Sequence, residues 1–181
     1  MSTPQVFLSH AGEDAKLAIE IAAGLKEALS AGGVSVRVFN TSAPEDRFRD
    51  FADIVAAGQE FKPLEWEGEL RDYLQQQIRS SAAYILLVTP KSLHRSSKWI
   101  QFEIDTAYEE QARGKIAFMP CTAEGARLKD LPDKASVFQG IDLSKEQGWH
   151  AFARGQEQLL RSVAKCVALA ADGSNSTESA G

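Results

Sequence analysis

The sequence has few of the residues that build the commoner sites. It holds two cysteines, Cys121 and Cys166, far apart and in no metal or redox spacing. That count leaves no disulfide framework and no cysteine-ligated zinc, and fits two buried thiols in a reducing compartment. The three histidines, His10, His94 and His150, form no metal spacing either, so no metal is expected. No GxGxxG follows the first apolar run, which excludes the usual dinucleotide turn, and no GxxxxGK[ST] provides a phosphate loop. No GxSxG marks a serine nucleophile. No apolar run reaches the length of a membrane span. The opening MSTPQVFLSH has no basic region and no long apolar core, so no signal peptide is expected and the reading is cytoplasmic. Asn175-Ser176-Thr177 matches a glycosylation acceptor formally, but a chain read as non-secretory gives it no use. A net charge of −5 argues against broad binding to nucleic acid or anionic membrane. It leaves open an anionic small ligand, which a helix N-terminus binds locally.

What is present is an alternation of short apolar runs and amphipathic helices. Val6-Phe7-Leu8 reads as a first strand, ending at Ser9-His10. Leu17, Ile21, Leu25 and Leu29 then recur at helical spacing until Gly32-Gly33 stops the helix. Val34, Val36 and Val38 alternate with polar residues and predict a second strand ending at Phe39-Asn40. Residues 41–63 are irregular and read as an insertion, with Phe48, Phe51, Ile54 and Val55 on one face of a short helix. A helix over 66–80 turns Leu70, Leu74 and Ile78 inward. Residues 84–88 are nearly all apolar, as in a strand buried on both faces. Thr89-Pro90 breaks this strand, and a helix follows to about Arg113, where Gly114 stops it. Residues 116–119 predict a fourth strand halted by Pro120, and 137–141 a short fifth strand at an edge. A helix over 149–171 closes the domain with Phe152, Leu159, Val163 and Val167 inward, and 172–181 reads as a disordered tail.

This order predicts an α/β fold of one domain over residues 1–171. Its sheet is mostly parallel and five-stranded, with helices on both faces. Ligands in such sheets bind outside the carboxyl ends of the strands. Chemistry is therefore expected at Ser9-His10, Phe39-Asn40, Thr89-Pro90 and Cys121. One further residue is conspicuous. Turning by about 100° per residue from Trp99, Ile100, Phe102, Ile104 and Ala107 form a broad apolar arc, and Glu103 falls inside it at about 40°. Gln101, Asp105 and Glu109 fall on the opposite, solvated side. Glu110 falls near Glu103 in angle but two turns later, where the arc is expected to end. A buried carboxylate is costly without partners. Either a salt bridge or a backbone amide satisfies Glu103, or it is a functional carboxylate in a cleft walled by the neighbouring indole.

The stretch from Val6 to Asp14, VFLSHAGED, resembles the first box of TIR (Toll/interleukin receptor) domains in their bacterial form. Ser97 to Glu103, SKWIQFE, resembles the SxW…E segment of the TIR helix that carries the catalytic glutamate. The resemblance runs from about residue 5 to 165 and implies the flavodoxin-like TIR fold. The second box, a glycine-containing loop after strand two, is not cleanly present; Gly58 or Gly68 with Trp66 could stand in.

The resemblance implies an enzyme that cleaves NAD, as substrate rather than cofactor, between ribose and nicotinamide. The product would be ADP-ribose or a cyclic ADP-ribose-type signal, as in bacterial anti-phage immunity. Glu103 would be catalytic. Ser9 and His10 would line the pocket near the ribose or phosphates, although His10 reads equally as a strand-end histidine bonded to backbone. Phe39 would stack on nicotinamide, against a plain core reading, and Trp99 would pack as core while shaping the pocket. The implied partners are other TIR domains and a separate effector that senses the product. A non-enzymatic TIR adaptor acting through TIR–TIR contacts is the alternative.

Overall fold

Alternation along the strands divides the apolar residues between two cores. Val6, Leu8, Val38, Ile85, Leu87, Met119 and Cys121 lie in one, and Phe7, Phe39, Tyr84, Leu86, Val88 and Phe118 in the other. Successive strand side chains leave opposite sides of the pleat, so both faces need a helical cover. The structure, a computed structural model, describes residues 3–40, 63–93, 98–143 and 149–175, with side chains described except at 63–67, 69, 98–99, 149–156 and 171–175.

The elements run β1 (Gln5–Ser9), a 3-10 turn (Gly12–Asp14), α1 (Ala15–Ala31), β2 (Arg37–Phe39), α2 (Pro63–Arg79) and β3 (Ser81–Val88). They continue with α3 (Pro90–Leu93), α4 (Lys98–Ala112), β4 (Ala117–Thr122), a 3-10 turn (Leu128–Asp130), α5 (Asp133–Ser136), β5 (Ile141–Asp142) and α6 (Trp149–Asn175). The five strands pair in the order β2-β1-β3-β4-β5, every pair parallel. Leu25 and Leu29 of α1 and Leu159, Val163 and Val167 of α6 close the first core. Leu74 and Ile78 of α2, Ile104 and Ala107 of α4 and Ala135 of α5 close the second. Among the described residues no helix is long and apolar enough to cross a membrane.

Glycines end two helices as their geometry requires. Gly33 has φ +79° and Gly114 φ +71°. Beyond them Val34 N–H donates to the Leu29 carbonyl at 2.8 Å and Lys115 N–H to that of Glu110 at 3.0 Å. Both ends are left-handed caps in which a side chain would be strained.

Several expected boundaries are corrected. Pro120 does not halt β4; it pairs in register with Leu86. Ala123 N–H turns toward β3, donating to Val88, whereas the Thr122 carbonyl turns toward β5, accepting from Leu143. By alternation Pro120 also directs its nitrogen to the β5 side, where pairing starts only at Cys121. The missing N–H therefore costs no ladder bond. The fifth strand is Ile141–Asp142 alone; Val137 caps the short helix α5 and is exposed. α6 continues to Asn175, four residues beyond its expected end at 171, and 176–181 lie outside the described residues. So do the expected helix with Phe48, Phe51, Ile54 and Val55 and nearly all of the expected insertion over 41–63. Cys121 is buried, but Cys166 is only half-buried, and both are free.

Candidate active site

The strand order reverses direction between β1 and β3, its neighbour on the other side from β2. In sheets of this order the crevice outside the carboxyl ends of those two strands is where ligands bind. β1 ends there at Ser9, and its alternation turns Ser9 to the same face as Phe7, the face covered by α4. Glu103 lies in the second turn of α4, 6% exposed, and accepts a hydrogen bond from the Ser9 hydroxyl at its Oε2. Among the described residues no cation pairs with it. Among the described residues neither expected structural partner, a salt bridge or a backbone amide, holds this carboxylate; a serine 94 residues away in sequence does.

Burial pushes the Glu103 carboxyl up from 4.5 to about 7, and the Ser9 hydrogen bond opposes that rise only in part. Desolvation penalises the charged form, whereas a hydrogen bond to the carboxylate favours it. A carboxyl in this range exchanges its proton near neutral pH. It can act as a negative charge, a nucleophile or a base.

The other expected residues fall as follows. His10 comes directly after β1, 8% exposed; burial holds its imidazole below the ordinary range, and a hydrogen bond to the Leu8 backbone offsets this partly. It thus joins the Ser9–Glu103 end of the sheet in neutral form. Phe39 is 1% exposed, its ring 5.1 Å from Phe7 and 6.0 Å from Tyr73. It is a member of the second core, behind the site rather than on its surface. Trp99 sits in the first turn of α4, and its side chain lies outside the described residues. Asn40 is fully buried at the end of β2. Cys121 faces the first core, and burial raises its thiol to about 12, so it is no nucleophile at neutral pH.

Two neighbours at this end carried no role in the sequence. Asp14, 3% exposed, accepts from the Thr89 hydroxyl at 2.9 and 3.0 Å, which ties the turn after β1 to the end of β3. Tyr84 is fully buried one strand away, and the charge of Glu103 and the contact with Ser9 both act on its phenol. The signal for Tyr84 was there: after Ser81 it is the sole polar side chain in SAAYILLV. Glu110, expected where the apolar arc ends, is instead 1% exposed. Arg113 at 2.6 Å, Arg79 at 3.1 Å and Lys115 at 3.9 Å surround it. Arg79 ends α2, two residues before β3 begins, so this ion cluster marks the opposite end of α4 from Glu103. Among the described residues no three potential ligands cluster to hold a metal ion.

A family model for the TIR domain matches residues 6–160. Among solved structures, the metazoan TIR-STING receptor from C. gigas, in complex with 2',3'-cGAMP, is similar in fold. It shares 22% identity at a TM-score of 0.56, over 88% of this chain and 39% of that one. The TIR domains of the activated Roq1 resistosome directly recognizing the pathogen effector XopQ align at 15% identity and a TM-score of 0.52, over 88% of this chain and 99% of that one. At these identities the likeness is one of fold. Among curated proteins, the tRNA-specific 2-thiouridylase MnmA of Geotalea uraniireducens (strain Rf4) is 35% identical over 77 residues, 42% of this chain and 20% of that protein. The chain thus spans a fifth of that enzyme and about two fifths of the TIR-STING receptor. The family match runs from β1 into α6 and takes in both Ser9 and Glu103, and the chain belongs to the TIR domain family.

Proposed function

We propose that this TIR domain cleaves NAD between ribose and nicotinamide, with Glu103 as the catalytic carboxylate. The observation that carries the reading is a buried carboxyl at the sheet's switch point, held by Ser9, unpaired with any cation among the described residues and raised to about 7.

The chemistry fits one carboxylate. Ordinary glycosidases need a second group to protonate the leaving oxygen. In NAD the leaving nitrogen is already cationic. The C1'–N bond breaks with its electron pair going to nitrogen, and nicotinamide departs neutral. What remains is a cationic, oxocarbenium-like ribose. Glu103 supplies the opposing charge or traps C1' covalently. Water adding at C1' releases a proton that Glu103 is poised to accept, giving ADP-ribose. A nucleophile within the adenine or second ribose would instead give a cyclic product. Ser9 orients the carboxylate and His10 lines the same end of the sheet; Trp99 walls the pocket by resemblance. NAD serves as substrate, and no cofactor is required.

Such a product suits a cytoplasmic signal sensed by a separate effector, as in bacterial anti-phage immunity. Self-association through TIR–TIR contacts would regulate the site, and the TIR domains of the activated Roq1 resistosome, similar in fold, come from an assembly. The test incubates the concentrated protein with NAD and resolves the products by chromatography. Wild type should release nicotinamide, and Glu103→Gln should lose at least about a hundredfold in rate with its fold intact. Equal turnover by both forms sinks the role given to Glu103. No turnover by wild type, even when crowded, favours a non-enzymatic adaptor.

A further inference from the structure

Tyr84 is held where a phenylalanine would pack as well. Its ring stacks on Phe7 at 5.6 Å and tilts against Phe118 at 5.0 Å, fully buried. The register pairs Phe7 with Tyr84 and Ser9 with Leu86, on one face of the sheet, so the phenol points along the strands toward Ser9. The hydroxyl lies beside Ser9, yet its geometry falls short of a hydrogen bond. A buried hydroxyl with no hydrogen-bond partner among the described residues costs folding free energy that the bare ring would not.

The donor inventory fixes what this hydroxyl can do. An ionised Glu103 only accepts. Ser9 has one proton and gives it to Glu103, so the serine oxygen has only lone pairs left to offer. The one group that complements them is a donor. Burial and the charge of Glu103 hold the Tyr84 phenol protonated, well above its ordinary range. The remaining described groups at this core are apolar apart from Tyr73, whose ring lies against Phe39. Leu70, Tyr73, Leu74 and Ile78 face it from α2, and Ile104 and Ala107 from α4. His10 is kept neutral, and Asp14 is engaged with Thr89.

We propose that Tyr84 is a positioning residue for Glu103: its hydroxyl donates to Ser9 Oγ and thereby strengthens the hydrogen bond that Ser9 donates to the ionised carboxylate. A chain of this kind polarises each successive bond. It lets a carboxylate form in an apolar site at the moment a cationic ribose needs it. The inference rests on Glu103 being the reactive carboxylate.

The experiment is a carbon-13 NMR titration of the full chain with labelled glutamate, the Glu103 resonance being assigned by its loss in Glu103→Gln. Tyr84→Phe should fold normally and raise the Glu103 midpoint by about half to one pH unit. Ser9→Ala should raise it further, and adding Tyr84→Phe to Ser9→Ala should change nothing more. The rising limb of NAD turnover against pH should shift in parallel. An unchanged midpoint in Tyr84→Phe, an equal increment in the Ser9→Ala background, or a Tyr84→Phe chain that fails to fold would each overturn the relay. The titration needs no NAD. A chain that shows the shifts without turnover refutes the NAD reading and leaves the relay standing.

Discussion

Replacing Glu103 by glutamine should stabilise the protein increasingly as pH rises, because the buried carboxyl resists ionisation. Its folded value is about 7 against an ordinary 4.5. Between those values the folded chain holds a proton that the unfolded chain has lost, so stability falls with rising pH. The stabilising contribution of the protonated form is complete below about 4.5 and is lost as pH passes about 7. The rise of about 2.5 units, at about 1.36 kcal/mol per unit, amounts to about 3 kcal/mol between those limits. Glutamine keeps the shape, still accepts from Ser9, and does not titrate. The assay is urea unfolding of both forms at intervals from pH 5 to 9. Taking the difference removes the contributions of His10 and Asp14, which both forms share. The glutamine variant should gain on wild type through this range, by about 2 to 3 kcal/mol at the alkaline end. A difference that stays flat with pH would mean that Glu103 ionises freely in the fold. Burial would then not tune the carboxylate, and Glu103 would be an ordinary acid.

Three further outcomes follow from the same geometry. Ser9→Ala removes the hydrogen bond that favours the carboxylate, so the pH for half-maximal NAD turnover should rise by about one unit, read from initial rates across pH. Glu110→Ala leaves Arg79, Arg113 and Lys115 to rehydrate at an exposed rim. It should cost about 2 kcal/mol in urea unfolding while sparing turnover, since the cluster lies at the far end of α4; a larger loss of activity than of stability would contradict that separation. Gly114→Ala meets no atom within 4 Å but forces a side chain onto φ +71°. It should cost about 1 kcal/mol in thermal unfolding through backbone strain alone.

Much of this architecture was legible because period and punctuation are local properties. The four-residue steps from Leu17 to Leu29, the apolar run of β3 and the stops at Gly33 and Gly114 each express a preference of the chain within a few residues. Helical angle alone put Glu103 inward and Asp105 and Glu109 outward, and burial follows that division. Glu110 shares the inward angle of Glu103, and what failed was the expectation that the arc ends before it, because cations delivered by α2 and by the end of α4 let its carboxylate stay buried. Reading Pro120 as a strand breaker failed because the cost of a missing N–H depends on whether a partner strand stands opposite. Phe39 looked available for stacking only while Phe7 and Tyr73 were not known to occupy its ring.

By itself the sequence determined the alternation of strands and helices, the helical face that carries Glu103, and the motifs of a TIR domain. Only the tertiary structure decided what Glu103 meets. Crossover connections bring β1 beneath α4, so a serine from the first strand satisfies a carboxylate 94 residues later. A tyrosine read as strand filling comes to lie beside both. Spacing along a chain sets which face a side chain takes. Its proton affinity is set by burial and by partners from distant segments, and those exist only once the sheet has assembled.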